Sequence, residues 1–208
     1  EILRCLVGSE MCIRDSLIDQ FFWKETNRRT DEYGGDLTGR TRFASRIIHA
    51  VRKAVGSRFP IIFRFSQWKT GHYDAKLAYT PEELEAFLAP LTDAGVDIFD
   101  CSTRRFWEPE FEGSRLNLAG WTRKLTGKPT ISVGSVGLKG DFTNAFDGGP
   151  EAEAASVEPL VERLKAGEFD LIAVGRALLA DAEWAEKIRH AREKEIHLFT
   201  KEDLKTLK

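Results

Sequence analysis

Four short apolar runs, separated by stretches with helical patterning, constrain the fold of this chain most strongly. They occupy residues 60–66, 96–101, 129–133 and 169–174 and begin about 30–40 residues apart. Apolar runs of this length between turn-forming residues are typical of buried strands. Strands that alternate with helices favour βα units and a parallel sheet, so the predicted fold class is α/β.

The intervening stretches carry explicit helix signals. Thr80–Glu83 combines an N-cap threonine, a proline in the first turn and a glutamate at the third helical position. A helix is therefore predicted to begin there and to end at Gly95. A second helix is predicted over about 40–55, ending at Gly56. Shorter helices are predicted over residues 118–125, 159–166, 176–179, 183–195 and 201–207.

Charge and hydropathy exclude two classes of partner. The 208 residues include 31 Lys and Arg against 33 Asp and Glu, for a net charge of -2, which argues against a general nucleic-acid binder. No apolar run reaches the roughly 20 residues that a membrane span needs. The three cysteines (Cys5, Cys12 and Cys101) form neither a CxxC pair nor an even framework. A reducing, cytoplasmic location without a signal peptide is therefore expected.

Two parallel architectures fit the pattern: an open doubly wound sheet and a (β/α)8 barrel. A complete barrel takes about 250 residues and eight strands, whereas four strands are predicted here. Half a barrel would leave two open strand edges, which favours a partner or self-association through those edges.

Glycines and an arginine follow the last two predicted strands. Gly134 and Ser135 come directly after the third strand, and Gly175 and Arg176 follow the fourth. Glycine lets the backbone approach an anion closely, and N–H groups at a helix start can donate to phosphate. In barrels, the loops after the seventh and eighth strands often bind phosphate. The alternative is that the glycines form tight turns and that Arg176 is a solvated surface residue.

Other candidates follow the first two strands or lie within them. Arg64 interrupts an apolar run, so it either faces an anionic or electron-rich ligand or pairs with a carboxylate such as Asp97 or Asp100. Trp68 and Trp107 line a ligand pocket or else pack within their own loops. Cys101, at a strand end, is a weak candidate for a reactive thiol and otherwise a buried, inert cysteine. None of the four histidines forms a ligand-spaced pair, so no metal site is predicted.

Several of these motifs together resemble the Old Yellow Enzyme family of FMN-dependent NAD(P)H oxidoreductases. The similarity covers about residues 17–192, and its most specific block is NRRTDEYGG. The motifs that carry it are Gln20–Phe22, Asn27–Gly35, Arg40–Phe43, Arg64–Ser66, Val133–Val136 and Ala173–Asp181.

This resemblance implies a (β/α)8 barrel with FMN at the carboxyl ends of its strands, of which residues 17–194 would be the C-terminal half, about four βα units. Hydride would pass from NAD(P)H through the flavin to an activated alkene such as an enone or dienoate. Arg64 would contact the flavin ring near its pyrimidine edge, and the loops after the last two strands would hold the FMN phosphate. The implied cofactor-binding residues are Arg64, Val133, Gly134, Ser135, Gly175 and Arg176.

The chain departs from the family just before Leu17. There the family carries a His-x-x-His/Asn-Gly-Tyr motif that binds the acceptor carbonyl and can donate a proton, whereas the matching positions here are Met11, Arg14 and Ser16. No catalytic residue is therefore assigned. Residues 1–16 resemble a translated sequencing adapter, and we expect them to be foreign to the family; the alternative is a genuine, divergent N-terminus. Residues 195–208 are predicted to form a polar tail or helix.

Two rival functions are compatible with the same strand ends. One is another phosphate-binding barrel enzyme, an isomerase or aldolase, which would need a catalytic Lys, Glu or His at a strand end. The other is a non-catalytic half-barrel that self-associates through its open edges. A flavin spectrum separates the first rival from a flavoprotein, and the oligomeric state tests the second.

Overall fold

A four-stranded parallel sheet organises the protein. The computed structural model describes residues 17–69, 74–139 and 153–204, and residues 1–16, with the doubtful N-terminal segment, lie outside them. The sheet has the order β1-β2-β3-β6, which confirms the predicted parallel α/β fold. A short antiparallel pair, β4 with β5, stands apart from it. The strands are β1 (Ile62–Ser66), β2 (Ile98–Ser102), β3 (Thr130–Val133), β4 (Leu138–Lys139), β5 (Glu153–Ala154) and β6 (Leu171–Ala173).

Helices connect the strands, as the sequence pattern predicts. One prediction is wrong: residues 183–195 do not form a single helix. The helix that begins at Trp184 ends at Arg189, because Ala191 adopts a positive φ of 53°. A 3-10 turn follows at Glu193–Glu195. A second 3-10 turn is Lys201–Leu204. The helices are α1 (Leu17–Phe22), α2 (Leu37–Val55), α3 (Pro81–Ala94), α4 (Leu118–Thr126), α5 (Glu158–Lys165), α6 (Arg176–Ala180) and α7 (Trp184–Arg189).

Local capping chemistry sets the helix boundaries. The Thr80 side chain accepts a hydrogen bond from the backbone N–H of Glu83, and α3 ends where Gly95 takes a left-handed conformation. Helix α2 begins earlier than predicted because Asp36 caps it, accepting a 2.7 Å hydrogen bond from the N–H of Gly39.

The most family-specific sequence block folds into a self-supporting loop. The Asn27 side chain is buried and donates to the carbonyl oxygens of Phe21 and Tyr33, both at 2.7 Å. Arg40, from α2, reaches back and donates to the carbonyl oxygens of Phe22 and Gly35, also at 2.7 Å. In this structure the block therefore joins α1 to α2.

The apolar core lies between the sheet and its covering helices. Phe63 and Phe65 of β1 are buried on one face, and Phe65 packs edge-on against Phe99 of β2 at a centroid distance of 6.1 Å. Phe87 of α3 is fully buried and meets Phe22 of α1 edge-on at 5.0 Å. No helix within the described ranges is long and apolar enough to cross a membrane.

One buried asparagine joins three parts of the fold near the carboxyl edge of the sheet. Asn117 is fully buried and caps α4 by accepting a 2.9 Å hydrogen bond from the N–H of Gly120. Its amide also donates to the carbonyl oxygen of Phe106, at 2.8 Å, and to Ser132 Oγ of β3, at 3.1 Å. The loop after β2 is thereby held against β3.

We expect Asn117→Ala to lower the free energy of unfolding by about 2–4 kcal/mol, because it removes a cap and leaves buried polar groups without their partner. Urea unfolding measures the change. Asp36→Ala is the matched control, because Asp36 is an exposed N-cap, and it should cost only about 1 kcal/mol. Equal losses in the two variants would contradict the structural role given to Asn117.

Candidate functional site

The last two strands of the sheet are neighbours and end at the same edge. In the parallel register, Val133 of β3 lies opposite Ala173 of β6. The chain leaves β3 through Gly134 and reaches Gly175 two residues after Ala173. The two glycine loops that the sequence proposes as a phosphate site therefore begin side by side.

The loop after β3 packs closely against the loop after β2. Gly134 has a φ of 142°, and a Cβ atom there would lie 2.7 Å from the carbonyl oxygen of Thr103. The Gly134 carbonyl accepts a 3.2 Å hydrogen bond from the N–H of Phe106. Ser135 also has a positive φ, 49°, and its hydroxyl donates to the Arg104 carbonyl at 3.0 Å. Only glycine fits position 134, and its neighbours rigidify the loop.

The loop after β6 is less closely packed at its glycine than the loop after β3. Gly175 is exposed and immediately precedes α6, and a Cβ atom built on it would meet no atom of the described residues within 4 Å. Arg176 is half-buried, with its guanidinium carbon 6.0 Å from the centroid of the Phe199 ring. Arg176 is therefore not fully solvated, because it is half-buried and lies beside an aromatic ring.

Arg64 lies in an ion pair inside the sheet. The β1–β2 register places Arg64 opposite Asp100, and Arg64 Nη1 is 3.2 Å from Asp100 Oδ2. The Arg64 and Asp100 side chains are only 13% and 8% exposed. Of the two carboxylates considered from the sequence, Asp100 is the partner, whereas Asp97 pairs with Arg52. The Asp100 carboxylate neutralises and orients the Arg64 guanidinium.

Both candidate tryptophans lie beyond the carboxyl ends of their strands. Trp68 is half-buried, and its backbone N–H donates to Ser66 Oγ at 3.3 Å. Trp107 is 37% exposed and packs edge-on against Phe106 at 5.0 Å. Trp107 therefore packs within its own loop and keeps part of its surface exposed.

Sequence reasoning missed a buried polar network at the same edge. Gln67, directly after β1, is 3% exposed and exchanges two 2.8 Å hydrogen bonds with the backbone of Ala78. Its amide also donates to Glu110 Oε1 at 3.2 Å, and Lys76 Nζ lies 3.0 Å from the same oxygen. Burial raises the pKa of Glu110, opposed by Lys76 and Gln67. Glu110 was missed because its loop sequence resembles a solvated charged segment.

Cys101 is not a reactive thiol. Its side chain is fully buried, and desolvation raises the pKa of the thiol far above its ordinary value. The alternative of an inert buried cysteine is therefore the correct one. Among the residues that the structure describes, no group of three or more His, Cys, Asp or Glu side chains is placed to hold a metal ion.

The sequence model of the NADH:flavin oxidoreductase / NADH oxidase family matches residues 14–150. The chain belongs to this family. The resemblance stated from the sequence motifs is thereby confirmed. Membership implies FMN as the cofactor and NADH or NADPH as the reductant.

Curated relatives within this family are two to more than three times as long as the chain. An NADH oxidase of Thermoanaerobacter brockii is 34% identical over 190 residues, covering 86% of this chain and 26% of the relative. A cinnamate reductase of Clostridium sporogenes is 31% identical, covering 83% and 26% respectively. Enoate reductase 1 of Kluyveromyces lactis is 30% identical, covering 83% and 41%. The chain thus spans about a quarter to two-fifths of their length.

A solved structure supports the same fold. The chain resembles a 2-naphthoyl-CoA reductase with a TM-score of 0.64 and 21% identity, covering 90% of this chain and 26% of the other. The match is consistent with a parallel sheet that forms part of a (β/α)8 barrel, as the sequence resemblance predicts.

We expect Gly134→Ala to destabilise the protein by about 1–3 kcal/mol more than Gly113→Ala. Both glycines have positive φ angles, 142° and 76°, but only the Cβ atom at position 134 would meet backbone atoms, because nothing lies within 4 Å of the one at 113. Thermal or urea unfolding gives the difference. Equal destabilisation of the two variants would show that the loop after β3 can move to accommodate a Cβ atom at position 134.

The Glu110 network generates a pH-dependent prediction. Because the folded-state pKa of Glu110 lies above its ordinary value of 4.5, Glu110 contributes stability at lower pH. That contribution is lost as the pH rises through the raised pKa. The unfolding free energy of the wild type should therefore fall, relative to Glu110→Gln, as the pH increases from about 4 to 7.

Urea unfolding across this pH range measures the difference between the two proteins. Glu112→Gln changes an exposed position in the same loop. The unfolding free energy of this control should change with pH as that of the wild type does. A wild type that gains stability over Glu110→Gln as the pH rises would mean that the Lys76 ion pair outweighs desolvation.

Proposed function

We propose that this chain carries the FMN-binding edge of an NAD(P)H-dependent oxidoreductase that reduces an activated alkene. One observation carries the proposal: the register of β3 with β6 starts the two glycine loops side by side at one sheet edge. The names of the relatives agree with it, because cinnamate reductase and enoate reductase point to unsaturated carboxylates as acceptors.

The residues at this edge fit a phosphate group. No atom of the described residues lies within 4 Å of a Cβ atom built on Gly175, so a ligand could approach its backbone. Arg176, directly after Gly175, supplies a positive charge at this point of the edge. We propose that Gly175 and Arg176 hold the phosphate on one side, while Val133, Gly134 and Ser135 form its other wall.

Arg64 is proposed to contact the flavin ring. Asp100 fixes the orientation of its guanidinium, and the pair lies two residues before the carboxyl end of each strand. A positive charge there would favour negative charge on the reduced ring. When bound, FMN supplies the hydride-transfer chemistry, and the protein binds and orients it.

The acceptor would lie over the same edge, near Trp68 and Trp107. Positions Met11, Arg14 and Ser16, which match the acceptor-binding motif of the family, lie outside the described residues. Because these three side chains cannot replace that motif, turnover of a cyclic enone by this chain is expected to be weak or absent. A reaction as fast as that of the longer relatives would contradict the assignment of these positions.

Two further expectations remain proposals. The isomerase or aldolase alternative is not favoured, because the relatives are flavin and NAD(P)H oxidoreductases.

Self-association is proposed to occur through β1 and β6, because they form the two edges of the described sheet. Leu171 of β6 is exposed there. A monomer in size-exclusion chromatography would rule it out. A cytoplasmic location is proposed from the cysteine usage.

The visible spectrum of the protein with FMN added, recorded after gel filtration, tests the proposed function. A bound flavin that co-elutes with the protein is expected. Arg176→Ala should weaken FMN binding by about 1–3 kcal/mol, because a charge-assisted hydrogen bond to phosphate is lost.

Titration of FMN fluorescence gives the affinities. Arg189→Ala is the matched control, since the Arg189 side chain on α7 is 74% exposed, and its affinity should equal that of the wild type. An Arg176→Ala protein with unchanged FMN affinity would overturn the proposal.

A further inference from the structure

The segment after the last helix folds back onto the arginine at the proposed phosphate site. Phe199 is 2% exposed, although it is not a member of the main apolar cluster of the described residues. Its ring centroid lies 6.0 Å from the guanidinium carbon of Arg176. Neighbouring Leu198 is 37% exposed. Of these two apolar residues, only Phe199 is therefore buried.

One aspartate ties this segment to the preceding helix, and a second closes a turn within the segment. At its start, Asp181 Oδ2 accepts hydrogen bonds from the His197 N–H, at 2.9 Å, and from Lys187 Nζ, at 2.7 Å. At its end, Asp203 Oδ2 accepts from the Thr200 N–H at 2.7 Å, which closes a turn within the segment. Phe199 lies between His197 and this turn. Its burial and the bond to Asp181 hold it in place independently of Arg176.

A fixed aromatic ring beside an arginine affects how that arginine binds. An arginine side chain has many rotamers, and a ligand that needs one of them must pay the ordering cost on binding. An aromatic face attracts the guanidinium group and restricts it. A preset guanidinium binds more tightly because less freedom is lost.

We propose that Phe199 is a positioning residue that presets the Arg176 guanidinium to receive the phosphate group of FMN. The proposal rests on the proposed function, since it needs FMN at this edge. It adds a residue that lies 23 positions away from Arg176 along the chain. The C-terminal segment, which the sequence presents as a polar tail, thereby becomes part of the cofactor site.

The test compares FMN with riboflavin, which has the same ring system but no phosphate. Phe199→Leu should weaken FMN binding about two- to five-fold and leave riboflavin binding unchanged, as measured by flavin fluorescence. Phe199→Met, which also lacks a ring, is the second variant in case the first fails to fold. Leu198→Ala is the matched control, with both affinities expected to equal those of the wild type.

The Arg176→Ala background separates this proposal from the proposed function. There, adding Phe199→Leu should have no further effect on FMN affinity, because the group that Phe199 positions is absent. If Phe199→Leu weakens FMN and riboflavin equally, or leaves FMN affinity unchanged while Arg176→Ala reduces it, the positioning role is wrong. If Arg176→Ala does not reduce FMN affinity relative to riboflavin, the proposed phosphate site itself fails.

Discussion

The parallel pairing of β3 with β6 is the constraint on which the rest of the site depends. Parallel strands that are adjacent in a sheet must end at the same edge, so whatever follows Val133 and Ala173 begins in one region of space. Hydrogen bonds from the Phe106 N–H and the Ser135 hydroxyl tie the loop after β3 to the loop after β2. The carboxyl ends of β2, β3 and β6 are therefore held next to one another, by strand pairing and by these hydrogen bonds.

The edge combines a rigid side with an open side. A Cβ atom at Gly134 would meet backbone atoms, whereas one at Gly175 would meet no atom of the described residues within 4 Å. Rigid walls hold donors in place without a reorganisation cost, and open space is what a ligand requires. Phe199 places an aromatic ring beside Arg176, at the start of α6. Under the proposed function, this edge would hold one anionic group.

Buried charge at this edge is partnered in two different ways. Arg64 and Asp100 form a pair between neighbouring strands, so the sheet register itself positions both side chains. Glu110 instead receives Lys76 and Gln67 from the chain after β1. The first pairing fixes the orientation of the Arg64 guanidinium. The second joins the chain after β1 to the loop after β2.

The sequence by itself determined the four parallel strands, the caps of α3 and the family, because these depend on local periodicity, turn chemistry and specific motifs. It also identified Arg64, Gly134 and Gly175 as candidates. Only the tertiary structure decided that Asp100 rather than Asp97 partners Arg64, and that Phe199 lies against Arg176. The residues in each of these contacts are more than twenty positions apart along the chain, and only folding specifies which of them meet.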